Sequence, residues 1–173
     1  MKNQVVRQVF FWISFLLLLA WISLIYAFSA QPDTESAEVS GRVSYRIVEG
    51  FNGVFRLEMT DAQIEERARR IDFPVRKGAH MTEFAILALL FLFTVTLRER
   101  PEGSREENRL FRYAAALTFT LLIAAADEVH QRFVPGRAGR VTDVLIDTFG
   151  GFLGLLVVFG LANWYNRRKR KKG

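Results

Sequence analysis

The stretch YAAALTFTLLIAAADEVHQRFVPGR, residues 113–137, decides the fold of this chain. Its first part, residues 113–126, is apolar or small and suits a lipid environment, yet two acids, a histidine and a glutamine follow directly on the same predicted helix. The apolar part alone is too short for a membrane, but continued to Phe133 it reaches the roughly 30 Å of the hydrocarbon layer. The polar residues therefore belong to the end of a membrane helix.

Three further segments, residues 10–28, 78–97 and 141–162, have the length and composition of membrane helices. With residues 113–133 they predict an all-α fold, a bundle of four transmembrane helices, in one domain that covers residues 1–173. The absence of cysteine excludes disulfides, thiol catalysis and cysteine-ligated metal. Residues 27–29 resemble a signal-peptide cleavage site, but the first apolar run is longer than such peptides use, which favours a retained anchor.

Basic residues near the span ends predict the orientation. Two lie before the first span, five arginines lie between the second and third spans, and the tail RRKRKK at 167–172 follows the fourth. The positive-inside rule then makes both termini cytoplasmic. The net charge of +6 would also suit nucleic acid, but the tail begins just after an apolar span that closes at Trp164. A membrane anchor attracted to anionic lipid is therefore favoured, and no nucleic-acid partner is expected.

The connection between the first and second spans has helical patterns of its own. Val39, Val43, Ile47 and Phe51 recur every four residues, a stripe typical of a helix on a membrane or protein surface. Thr60 and Gln63 form a capping-box pattern for a second short helix, and we expect Pro74 to open the second span. The connection is predicted to be extracytoplasmic, made of short amphipathic helices that either cover the outer end of the bundle or gate a substrate.

Polar residues from three spans fall at one level near the predicted outer face. The second span contributes His80 and Glu83, the third contributes Asp127, Glu128, His130 and Gln131, and the fourth contributes Asp143 and Asp147. Residues three or four apart on a helix share one face. Ionisable groups at membrane depth usually face a bundle interior and mark a site or an ion path. The alternative is that these acids form structural ion pairs with Arg76, Lys77, Arg137 and Arg140, or lie above the hydrocarbon.

Small residues predict close packing of the fourth span. Gly150 and Gly154 form a GxxxG pattern below the acids, on the same helix face. The alanine triplets at 114–116 and 124–126 of the third span are suitable partners. Such packing would turn Asp143 and Asp147 toward the bundle interior.

The segments RKGAHMTEF (76–84) and DEVHQRFVPGRAGRVTDVLIDTFGGFLG (127–154), with FSAQP at 28–32, resemble the VanZ-like family of small bacterial membrane proteins. The resemblance implies an envelope protein of the bacterial cytoplasmic membrane, in a family with members linked to teicoplanin resistance, and it implies no mechanism. Phe84 stands where tyrosine is common in the family. The polar positions carried over by motif are Arg76, Lys77, His80, Glu83, Asp127, Glu128, Gln131, Pro135, Gly136, Arg137, Asp143 and Asp147.

One functional hypothesis is an enzyme, a transferase or hydrolase on a lipid or lipid-linked envelope precursor. His80, oriented by Glu83, would be base or nucleophile, and Asp127 or Glu128 the acid. Gln131, Asp143 and Asp147 complete the catalytic candidates. The substrate-binding candidates, suited to a phosphate or carboxylate, are Arg76, Lys77, His130, Arg137 and Arg140.

The competing hypotheses are a non-catalytic binder or small transporter of a headgroup, peptide or antibiotic, and an assembly factor for other membrane proteins. Membrane lipids are the expected partners, with a lipid-linked precursor or a glycopeptide as the further ligand. Transport through so few helices would require oligomers. A metal between His80 and Glu83 is disfavoured, because Arg76 and Lys77 would compete with the cation, and no cofactor motif is present.

Overall fold

The computed structural model describes residues 2–98 and 105–170. Across these residues the chain forms five helices and no strand: α1 (Lys2–Ser29), α2 (Asp33–Phe55), α3 (Asp61–Arg98), α4 (Arg105–Gln131) and α5 (Val141–Arg170). Four of them, α1, α3, α4 and α5, are long and apolar enough to cross a membrane. The all-α class and the four spans predicted from the sequence are confirmed. Most of the linker between the second and third spans, residues 99–104, and the end of the basic tail, residues 171–173, lie outside the described residues.

The long helix α3 lies at the centre of the fold, since it packs against each of the other four helices. Leu18 and Ile25 of α1 pack with Phe84 and Leu87 of α3 and with Ala124 of α4 in one buried cluster. A second cluster joins α3, α4 and α5 farther along the same helices. The outward faces of the spans carry many exposed large apolar side chains, Trp12, Leu16, Leu122 and Leu156 among them. Such faces suit lipid contact, because hydrocarbon does not penalise them as water would.

Helix α2 packs against the first half of α3 as an antiparallel helical hairpin. Val48 of α2 is buried with Ile64 and Ala68 of α3. The capping box at the start of α3 is present: the backbone N–H of Thr60 donates to Gln63 Oε1 at 2.9 Å, and that of Gln63 donates to Thr60 Oγ1 at 3.4 Å. The predicted connection of amphipathic helices is confirmed in its helical character.

The boundary expected at Pro74 is wrong, because α3 continues without a break through this residue. Proline removes one helical hydrogen bond and usually kinks or ends a helix. Here α2 holds both sides of Pro74: Ser44 Oγ lies 3.4 Å from Asp72, and Arg76 Nη1 donates to Asp33 at 3.0 Å. The predicted second short helix is therefore the first half of α3 and is continuous with the second span.

The predicted apolar stripe of α2 is not the face that packs against α3. Val39, Val43, Ile47 and Phe51 are all exposed, whereas Ser40 and Ser44, each one position farther along the helix, are buried. The small serine side chains let α2 approach α3 closely, and the apolar face remains on the outside of the helical hairpin.

Glycines of α5 permit its close approach to α3, as the GxxxG pattern predicts. A Cβ atom on Gly150 would lie 2.5 Å from Met81 Cα, and one on Gly154 would lie 3.0 Å from Ala85 Cβ. The partner differs from the expectation: these two glycines meet α3, whereas Gly151 faces Thr120 of α4. The third-span alanine triplets are therefore not the surface that the GxxxG pattern contacts, because α3 occupies the centre of the bundle.

Candidate functional site

A polar cavity of about 260 Å³ lies at one end of the bundle, where α3 and α5 enter the span region and α4 leaves it. Its walls come from the start of α2, the middle of α3, the end of α4, the loop at 132–140 and the start of α5. Of the predicted catalytic residues, those that line it are His80, Glu128, Gln131, Asp143 and Asp147. Of the predicted substrate-binding residues, those that line it are Arg76, Lys77, Arg137 and Arg140.

Two carboxylates lie deep in the wall of this cavity. Asp147 is 2% exposed and Glu128 is 5% exposed. Glu128 Oε2 accepts a hydrogen bond from the backbone N–H of Arg140 at 2.7 Å, which joins α4 to the start of α5. Within the described residues, the Asp147 carboxylate has no hydrogen bond and no ion pair. It is therefore a buried acid that faces a cavity without a partner.

Two of the cationic residues are neutralised by carboxylates. Lys77 Nζ lies 2.7 Å from Asp143 Oδ1, with both side chains about one-fifth exposed. Arg76 contacts Asp33 at 3.0 Å and Asp72 at 3.4 Å. The structural ion-pair alternative is therefore realised for Lys77 with Asp143, whereas the acids that pair with Arg76 lie outside the predicted set. These pairs fix α3 to α5 and α3 to α2, which are the helices on either side of the cavity.

Arg137 instead holds the end of α1. Its Nε donates to the Gln31 carbonyl at 2.8 Å, and its Nη2 donates to the Phe28 carbonyl at 3.3 Å. Phe28 is in the last turn of α1, where carbonyl groups lack helical partners and carry partial negative charge, and Gln31 lies two residues beyond the helix. The guanidinium therefore stabilises the end of α1 and fixes the chain that follows it. The turn before Arg137 depends on Gly136, whose φ of +78° favours glycine. The turn thus directs Arg137 to the cavity wall and also to the end of α1.

The loop after Arg137 passes very close to α4. A Cβ on Gly139 would collide with the backbone carbonyl of Glu128 and would lie 2.9 Å from Arg132 Cγ. Only glycine permits this approach. The approach brings the Arg140 N–H within reach of Glu128 and closes one side of the cavity.

Asp127 lies behind the cavity wall and does not line it. Its side chain is fully buried, and its Oδ2 accepts hydrogen bonds from Ser29 Oγ at 2.7 Å and from Gln131 Nε2 at 2.8 Å. The other oxygen, Oδ1, has no hydrogen-bond partner among the described residues. This network of Ser29, Asp127 and Gln131 joins α1 to α4 at the level of the cavity. Of its three members, Gln131 also lines the cavity.

His80 and Glu83 are adjacent, as their spacing predicts. His80 Nδ1 lies 3.7 Å from Glu83 Oε2, a distance longer than a hydrogen bond. Of the two, His80 lines the cavity and Glu83 lies to one side, where its backbone carbonyl accepts a hydrogen bond from Trp21 Nε1 at 2.9 Å. The Glu83 carboxylate therefore lies beside the imidazole without a hydrogen bond to it and outside the cavity lining.

His130, a predicted substrate-binding residue, is not part of the cavity lining. Its ring packs edge-on against Tyr26 of α1, with ring centroids 5.5 Å apart. The structure thus gathers most of the predicted residues around one cavity and places Glu83, Asp127 and His130 outside its lining. No group of three or more His, Asp or Glu side chains in the described ranges is arranged to hold a metal ion.

Sequence reasoning missed several residues that build the site. Ser29 belongs to FSAQP, but its role as donor to Asp127 depends on a contact across 98 residues. Asp33, one partner of Arg76, had no visible signal, because a single acid in a charged segment is usually solvated. Asp72, the other partner, lies four residues before Arg76, and this helical spacing was the signal that could have identified it.

Comparison with known proteins supports the resemblance seen in the sequence. No curated protein matches the chain, and no solved structure matches it. The family model described as VanZ/LLP1 matches residues 12–163, which includes every residue of the cavity and all four spans in part or whole. The chain is therefore a multi-pass membrane protein that belongs to the VanZ/LLP1 family.

Proposed function

We propose that the polar cavity binds the headgroup of a membrane lipid or of a lipid-linked cell-envelope precursor. The observation that carries the proposal is a cavity of about 260 Å³ with four acidic and four basic side chains in its lining, at the end of a membrane bundle. Burying so many ionisable groups near hydrocarbon is costly unless they face polar partners. A bound headgroup supplies such partners where the protein itself does not.

The size of the cavity favours a headgroup over a whole antibiotic. Sites that enclose drug-sized ligands have volumes of roughly 300–1,000 Å³. The present cavity lies just below that range. Any effect of this chain on teicoplanin susceptibility would then arise through an envelope component that the protein binds or alters, rather than through enclosure of the drug.

The distribution of charge favours a ligand with both signs. In the Lys77–Asp143 and Arg76–Asp33 ion pairs, each charge is neutralised by its partner within the protein. The remaining ionisable groups of the lining include Arg137 and Arg140 near the loop and Glu128 and Asp147 deeper in the wall.

Arg137 Nη1 and the Arg140 guanidinium have no carboxylate partner among the described residues. A phosphate would lie against these arginines, because guanidinium groups bind phosphate oxygens well. A cationic amine or hydroxyl groups would extend toward Glu128 and Asp147. A zwitterionic headgroup combines both features.

A second candidate function is catalysis on the same ligand, favoured by the shared cavity of His80 and Asp147. An imidazole and a buried carboxylate without hydrogen-bond partners are suited to general acid–base chemistry, provided that both reach the reacting group. Glu83 would orient His80 once their 3.7 Å separation shortens to a hydrogen bond on ligand binding. The reaction would be a hydrolysis or a group transfer at the headgroup.

The proposal includes an orientation in the bacterial cytoplasmic membrane. The basic residues before α1, between α3 and α4 and at the end of α5 favour the cytoplasmic side for both termini. The polar cavity would then open at the outer leaflet, where envelope precursors are displayed.

Mass-spectrometric comparison of envelope lipids in strains with and without the protein tests the proposal. An enzyme changes lipid composition, and the change disappears in H80Q and D147N at normal protein level. A binder leaves composition unchanged, but the purified protein binds the lipid, and D147N and R140Q weaken binding.

The matched control is E65Q, which removes a carboxylate from an exposed pair with Arg69 outside the cavity. Unchanged lipids together with no lipid binding by the purified wild-type protein would refute both candidates. An effect of D147N that merely follows a fall in protein level would favour a structural role in assembly.

A further inference from the structure

The opposite end of the bundle holds a second, chemically different cavity. From Lys77 at the polar cavity to Thr96, α3 rises roughly 28 Å. At that far end a crevice of about 430 Å³ opens between α3, α4 and α5. Its lining includes Leu89, Leu92, Phe93 and Val158, and among the described residues its polar lining consists of Thr96, Tyr113 and two arginines. The crevice therefore presents an apolar surface with cations at one edge.

The cationic edge continues into an adjoining cavity of about 280 Å³. Arg109, Arg167 and Arg170 line it together with Asn163 and Asn166, and the described residues of its lining include no carboxylate. Arg109 lines both cavities and so connects the apolar crevice to the cationic one.

Arg109 is held in place by uncharged partners. Its Nη1 donates to Asn163 Oδ1 at 2.7 Å, and its guanidinium lies 4.5 Å from the centre of the Phe159 ring. Its Nε is buried and has no hydrogen-bond partner within the described residues. None of these contacts neutralises its charge, so the arginine is oriented for an anion that the described part of the chain does not supply.

We propose that this end of the bundle is a binding site for an anionic glycerophospholipid. One acyl chain lies in the crevice between α3, α4 and α5, and the phosphate contacts Arg109, Arg167 and Arg170. Basic pockets between membrane helices bind anionic headgroups in this way, and arginine suits phosphate geometry. A soluble anion has no acyl chain to place in the crevice. A zwitterionic lipid has no net negative charge, so the three arginines attract it less strongly. The site is separate from the polar cavity and independent of the function proposed for it.

The alternative is diffuse attraction of anionic lipid by the whole basic tail. That attraction depends on the number of charges and not on their positions. Arg168 separates the two explanations, because it stacks on Trp164 at 4.0 Å and lines neither cavity. It is one residue from Arg167 and carries the same charge.

The experiment uses the full-length purified protein and measures binding of dioleoylphosphatidylglycerol by native mass spectrometry. Dioleoylphosphatidylcholine is the comparison lipid, and its binding is expected to change little in R167Q, because its zwitterionic headgroup suits the polar cavity and not the arginine site. R167Q is expected to weaken binding about five-fold, from the attraction of one arginine to an anionic headgroup, and R109Q at least as much. R168Q is expected to stay within about two-fold of wild type. Arg168 would not contact the bound lipid, so its charge acts on the phosphate only at longer range, where salt screens the attraction.

Soluble glycerol 3-phosphate provides the test of the acyl chain. At matched concentrations it is expected neither to bind detectably nor to displace the phospholipid. Equal losses in R167Q and R168Q would overturn the proposal in favour of diffuse attraction. Equal losses of the two lipids in R167Q, or full competition by glycerol 3-phosphate, would overturn it as well. R167Q changes an exposed residue, so the test does not depend on whether R109Q folds.

Discussion

Substituting Gly150 by alanine is expected to separate α5 from α3. The added Cβ would lie 2.5 Å from Met81 Cα, whereas ordinary van der Waals contact begins at 3.4 Å. The two helices must therefore move apart by roughly 1 Å, because the obstructing atoms are backbone and cannot rotate away. Overpacking of this kind costs about 1–3 kcal/mol. The better helix propensity of alanine returns about 0.5–1 kcal/mol, so we expect a net loss of roughly 1–2 kcal/mol in the free energy of unfolding.

The assay is equilibrium unfolding in mixed micelles, with a denaturing detergent as the titrant. Gly160 on the same helix is the matched control, because a Cβ there meets no atom within 4 Å. G160A should unfold at the same detergent fraction as wild type or slightly higher. The reasoning is refuted if G150A is as stable as wild type, or if G160A loses as much stability as G150A.

Three further predictions concern the cavity and its orientation. S29A removes a donor to the buried Asp127 carboxylate and should lower the free energy of unfolding by about 1.5–3 kcal/mol. The control is S23A, because the Ser23 hydroxyl donates to its own helix on an exposed face; it should change the free energy of unfolding by less than about 0.5 kcal/mol in the same assay. A double-mutant cycle with K77M and D143N should give a favourable coupling of about 1–3 kcal/mol, and a value near zero would show that the 2.7 Å contact contributes nothing. Because the chain has no cysteine, single cysteines introduced into the loop between α4 and α5 and into the last turn of α5 can be labelled selectively, and an impermeant reagent applied to intact cells should reach only the first.

Much of the candidate site could be predicted from helix spacing at the ends of spans. His80 and Asp147 lie at the predicted outer end of their helices, and helical periodicity turns each toward the side that the small residues bury. Exposing such ionisable groups to lipid is costly, so the sequence predicted that they converge on one site inside the bundle. The pairing of those groups could not be predicted, since Lys77 lies 66 positions from its partner Asp143 in the chain. Which acid neutralises which base depends on distances that only helix packing sets.

The length and spacing of the apolar runs by themselves determined an all-α membrane protein with four spans, because hydrocarbon requires each crossing to satisfy its own backbone hydrogen bonds. Tertiary structure alone decided that α3 continues through Pro74, since the contacts of α2 on both sides of that residue compensate for the missing helical hydrogen bond. It also decided that Asp127 lies behind the cavity wall and that an apolar crevice with arginines forms at the far end. Those features arise where residues distant in sequence meet, and no local pattern records such meetings.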